Sequence, residues 1–112
     1  MTINEYQQLA LMTNPVKDNK SMQGILQGVM GLNGEAGEAI DIVKKYLFQG
    51  HDLDNHHLAL ELGDVAWYVA QAADALGYDL ETILQMNVDK LKRRYPDGFD
   101  FKRSINRKED DI

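Results

Sequence analysis

The sequence contains no cysteine, so neither a disulfide framework nor thiolate metal ligation is open to it. It also lacks any apolar run near the roughly 20 residues of a membrane span, and Met1 leads straight into polar residues without the apolar region of a signal peptide. A soluble cytoplasmic protein with no membrane partner is expected. Basic residues are scarce over most of the chain: residues 1–86 carry four Lys/Arg against twelve Asp/Glu, and residues 87–112 carry eight against six. An acidic body of this kind lacks the broad basic face that a nucleic acid backbone requires, so no nucleic acid partner is expected. A small polyphosphate held by metal and a few basic side chains remains compatible with this charge pattern.

No alternation long enough for a sheet is present, and no repeat, so the fold class is all-α. At 112 residues the chain reads as one domain, 1–112, small enough that a second copy would help bury its apolar surface. Thr2-Ile3-Asn4-Glu5 has the form of a capping box and predicts a first helix from Ile3 to about Thr13, ended by Asn14-Pro15. Ser21 can cap a second helix with an apolar stripe at Leu26, Val29, Asn33, Ala36, Ile40, Val43 and Leu47, read as a packing seam. Gly24, Gly28 and Gly31 fall on one side of it and would admit another backbone or a ligand, while Gly34 and Gly37 clear space beside two glutamates. The competing reading is a loop followed by a shorter helix starting near Leu32. Asp54 predicts the cap of a third helix that ends at Gly77, with a seam at Leu58, Leu62, Val65, Val69, Ala72 and Leu76. Asp79 opens a fourth helix, which Pro96 ends, and residues 97–112 read as an extended arm. The expected architecture is a compact antiparallel four-helix bundle, and its seams and glycine face together predict a homo-oligomer.

The chemistry concentrates in Glu35-x-x-Glu38 and Glu61-x-x-Asp64, which stand 22 residues apart. Residues three apart on a helix lie about 60° apart on one face, so each pair aims two carboxylates in one direction. A short turn between the helices would make them antiparallel and bring the four acids together, where they would repel without cations. Hard oxygen ligands favour Mg2+, with Mn2+ as a substitute, and either Glu35 or Glu38 could serve as a general base. Lys90 and Arg94 are four apart on the last helix and share a face, which suits a polyphosphate clamp or, alternatively, is a solvated basic strip joined by Lys92 and Arg93. Trp67 and Tyr68 follow Asp64 by three and four positions; core packing is the common fate of such aromatics and is expected of Trp67, while Tyr68 is the one favoured to stack on a ring of a bound ligand.

The segments Gly34-Glu35-Ala36-Gly37-Glu38, Asp41-Ile42-Val43-Lys44-Lys45, Glu61-Leu62-Gly63-Asp64 and Asn87-x-x-Lys90-Leu91-x-x-Arg94-Tyr95-Pro96 resemble the MazG group of all-α nucleoside triphosphate pyrophosphohydrolases. The resemblance implies a Mg2+-dependent enzyme that converts a nucleoside triphosphate to the monophosphate and pyrophosphate, assembled as a homodimer or homotetramer. It also implies metal ligation by Glu35, Glu38, Glu61 and Asp64, and polyphosphate contacts from Lys90 and Arg94, with Asn87 in the same motif. Some members place a lysine one turn before the third acid; here that position is His57, whose hold on phosphate would be weaker or pH-dependent. Two other readings compete. A di-iron carboxylate bundle would use Glu-x-x-His pairs, which the four acids lack. A non-catalytic helical interaction module would carry the acids only as a solvated face.

Overall fold

Side-chain caps set where the helices begin. Thr2 Oγ1 accepts from the Glu5 N–H, Ser21 Oγ from Gly24, Asp54 Oδ1 from His57 and Asp100 Oδ1 from Arg103, each satisfying a donor that the first helical turn leaves unpaired. The computed structural model describes all 112 residues and contains five helices and no strand: α1 (Ile3–Leu11), α2 (Met22–Phe48), α3 (Asn55–Ala75), α4 (Leu80–Arg94) and α5 (Phe101–Ile105). Gly77 closes α3 at φ +86°. Its N–H reaches Asp74 O, and that of Tyr78 reaches Ala73 O, the paired bonds of a Schellman end. α2 runs unbroken for 27 residues through its five glycines, so the alternative of a loop before Leu32 does not hold.

Residues Met1–Leu80 form one compact unit built on the α2–α3 pair. Gly24 O accepts from Gln71 Nε2, Gly28 faces Ala72 and Gln71, and Gly31 lies against the ring of Tyr68. As numbers rise along α2 they fall along α3, so the two helices are antiparallel. α1 also packs against α3. Trp67 Nε1 donates to Ala10 O and Thr13 Oγ1, and Gln7, only 2% exposed, donates to Ala70 O and Tyr78 O while accepting from the Leu80 N–H. These bonds satisfy a buried amide that would otherwise oppose folding. The core itself is small: Ala10, Ala70 and Leu80, with Tyr6, Trp67 and Val69 packed against them.

The stripe expected as the packing seam of α2 is not what meets α3. Leu26, Val29, Ile40 and Leu47 are more than half exposed, as is Leu62 of the α3 stripe. The contact face is instead Gly24, Gly28, Gly31 and Glu35. Gly28 and Glu35 lie one position from Val29 and Ala36 of the stripe, about 100° around the helix, and Gly24 and Gly31 lie two positions from Leu26 and Asn33. The absence of side chains there lets the backbones approach: a Cβ on Gly28 would stand 2.6 Å from that of Ala72. The glycine face is therefore used within the chain and is not available for assembly with another copy.

Residues Glu81–Ile112 form the second unit. Here the expected extended arm, 97–112, contains α5, which raises the helix count to five instead of four. One short turn carries too few positions to show a period. Tyr95, Phe99 and Phe101 stack in sequence with ring centroids 5.2 and 5.3 Å apart. Arg94 is held by Asp111 through two hydrogen bonds of 2.8 and 2.7 Å.

Candidate active site

Glu35 and Glu38 stand on α2, and Glu61 stands on the facing turn of α3. One carboxylate oxygen from each lies within 4.8 Å of the other two. Glu35 is half-buried, Glu38 exposed and Glu61 buried. Gly34 and Gly37 have nothing within 4 Å of a notional Cβ, so the helix surface beside the two glutamates is open as expected. Asp64 is exposed and its carboxylate lies outside this trio. Its charge is still felt at the cluster, where it is one of those acting on Glu35, and on Tyr6 of α1.

The electrostatics are those of crowded acids. Burial, then a hydrogen bond with Glu61, then the charges of Glu38, Asp64 and Glu61 push the Glu35 carboxyl up to about 7. Glu35 Oε2 and Glu61 Oε2 are both buried without a hydrogen-bond partner. Buried carboxylate oxygens rarely go unpaired in a folded protein. Two unpaired oxygens beside a third carboxylate make a donor set that fits a divalent cation. Waters would complete the shell of a cation held by these carboxylates.

His57 Nε2 approaches Glu61 Oε1 at 3.3 Å, one helical turn before it. The ring abuts an acid of the cluster, a contact that the i,i+4 spacing could have signalled. A cavity of about 600 Å³ opens beside the acids, lined by Glu38, Glu61, His57, His51, Asp41 and Lys45 among others. Asp41 is held well below the usual carboxylate range by hydrogen bonds from Lys45 and Lys44. Tyr68 lies with its ring against Gly31 and edge-on to Trp67, at 4.9 Å between centroids.

In the second unit, Asn87 is exposed on α4, and Lys90 and Arg94 line a cavity of about 250 Å³ with Arg93 and Lys108. The pairing of Arg94 with Asp111 was not legible, because the two are 17 residues apart in sequence and no periodicity joins them.

The MazG nucleotide pyrophosphohydrolase domain matches residues 23–99, more than half the chain and the whole of both acid pairs. The chain belongs to the MazG family. Gene 37 protein of Mycobacterium phage L5 is 42% identical over 85 residues, covering 72% of this chain and 75% of that protein. No solved structure matches significantly. The MazG assignment implies nucleotide pyrophosphohydrolase activity at the level of the family, and the acidic trio of Glu35, Glu38 and Glu61 lies inside the matched segment. No helix of this MazG chain is long and apolar enough to cross a membrane.

Proposed function

We propose that this protein hydrolyses a nucleoside or deoxynucleoside triphosphate to the monophosphate and pyrophosphate, with Mg2+ as its metal. The observation that carries the reading is the trio of carboxylates within 4.8 Å, two of them with buried unpartnered oxygens, in a MazG domain. Glu35, Glu38 and Glu61 would hold the cation, with Asp64 as a fourth acid on the same turn of α3. When bound, the metal neutralises the acids, polarises the phosphate oxygens and lowers the pKa of water. Glu38, exposed and lining the 600 Å³ cavity, is the acid best placed to take a proton from water. The water oxygen bonds to the α-phosphorus, the α–β anhydride bond breaks, and pyrophosphate leaves. Lys90 and Arg94 are assigned to the polyphosphate, with Asn87 beside them in sequence. Tyr68 is assigned to the base.

A homodimer or homotetramer is part of this reading. Leu26, Val29, Ile40 and Leu47 are exposed apolar side chains along one stripe of α2, which a second copy would cover. Light scattering should show an oligomer, and Ile40→Glu should dissociate it; an active monomer at low concentration would refute the assembly.

The reaction is tested by incubating a panel of triphosphates with Mg2+, resolving nucleotides by chromatography and assaying pyrophosphate and orthophosphate separately. Monophosphate with pyrophosphate is expected. Early accumulation of the diphosphate with orthophosphate would overturn the assignment.

A further inference from the structure

Lys90, Arg93 and Arg94 occupy neighbouring positions on α4 at i, i+3 and i+4, which places their charges along one edge of the helix. The chain beyond α5 returns Lys108 and Asp111 to the same place. A turn closed by the Asp111 N–H on Lys108 O, at 3.0 Å, and by Arg107 Nη2 on Asp111 O, at 2.9 Å, presents the Asp111 side chain to Arg94. Both of its oxygens are taken by the guanidinium fork, at 2.8 and 2.7 Å, and Arg107 Nε stands 3.6 Å from one of them. The Arg94 and Asp111 side chains are only 13% and 18% exposed.

That fork is the geometry with which arginine also grips two oxygens of a phosphate. Around it lie Lys90, Arg93 and Lys108, none of which is in an ion pair, and Asp110 and Ile112 complete the lining, so that four basic side chains face two carboxylates. At about 250 Å³ the cavity falls below the range of pockets that enclose a drug-sized ligand, so it suits phosphate groups and not a whole nucleotide. We propose that it is a polyphosphate-binding pocket in which Asp111 holds the phosphate's place on Arg94 in the free protein, and from which an incoming phosphate group must displace it. This rests on the assignment of Lys90 and Arg94 to the polyphosphate. What it adds is an internal competitor: a carboxylate tethered at millimolar effective concentration. Apparent affinity for phosphate falls by the fraction of molecules whose Arg94 is free, so a latch closed nine-tenths of the time weakens binding about tenfold.

The test is isothermal titration calorimetry of the full chain with inorganic pyrophosphate in metal-free buffer, which keeps the acid trio out of the measurement. Asp111→Asn is expected to bind pyrophosphate about tenfold more tightly than the parent, and the gain should vanish when Arg94→Ala is added. Arg107→Ala, which loosens Asp111 from its other side, should give a smaller gain in the same direction, and it carries the test if circular dichroism shows Asp111→Asn unfolded. Unchanged or weaker binding by Asp111→Asn, with Arg94→Ala alone still weakening binding, would overturn the latch and leave Arg94 as a phosphate contact. No effect of Arg94→Ala in either background would remove that contact and the latch with it. Hydrolysis of triphosphates by the parent chain is measured independently and decides the enzymatic reading alone.

Discussion

Gly28 of α2 and Ala72 of α3 approach so closely that a Cβ on the glycine would stand 2.6 Å from the alanine Cβ and 3.0 Å from its Cα. A methyl group there must push the helices apart. Gly28→Ala is therefore expected to destabilise by about 1–3 kcal/mol despite the better helix propensity of alanine. Gly34→Ala, in open space on the same helix, should stabilise by about 0.5–1 kcal/mol. Urea denaturation of the two variants checks the pair, and equal signs would contradict the packing described.

The Glu35 carboxyl, pushed up to about 7, sets a pH dependence for the metal-free protein. Its folded pKa lies above the usual value of 4.5, so between these pH values the native state holds a proton that the unfolded state has released. Its stabilising contribution is full below that lower value and is lost as pH rises through about 7. Metal-free protein should accordingly melt at lower temperature at pH 8 than at pH 5.5 as far as this group is concerned. Glu35→Gln should flatten that part of the profile and raise the melting temperature at pH 8. Differential scanning fluorimetry with and without chelator measures both effects.

His57 Nε2 stands 3.3 Å from one oxygen of Glu61, and the other, Oε2, is without a partner. Groups that orient a metal-ligating carboxylate typically change metal affinity by about 10–100-fold when removed. His57→Ala should weaken Mn2+ binding, read by electron paramagnetic resonance, by about tenfold, and His57→Gln should recover part of it. Unchanged binding in His57→Ala would show that Glu61 needs no such support.

Gln7 joins three backbone groups that have no other means of meeting: Ala70 O, Tyr78 O and the Leu80 N–H. Gln7→Leu leaves the Leu80 N–H without its partner in the interior, while Ala70 O keeps its place in the ladder of α3. The buried N–H alone costs about 1–3 kcal/mol when left unpaired. Chemical denaturation should show at least that loss, whereas Gln8→Leu on the exposed side of α1 should be nearly neutral.

Sequence by itself determined what depends on neighbours within about one helical turn. Thr2, Ser21 and Asp54 cap their helices where their hydroxyl or carboxylate can reach the third N–H ahead, Gly77 takes the left-handed turn, and Glu35 and Glu38 share a face because they are three apart. Those interactions are local, so the residues that make them are legible side by side. Tertiary structure alone decided which face of α2 would be buried. The leucine and valine stripe had the stronger apolar period, yet the glycines face α3, because close backbone approach and the Gln71–Gly24 bond are available only on that side. It also decided that Glu61 joins Glu35 and Glu38 more closely than Asp64 does, and that Asp111 finds Arg94. Such pairings join residues far apart in the chain, and the geometry that selects them exists only once the helices have packed.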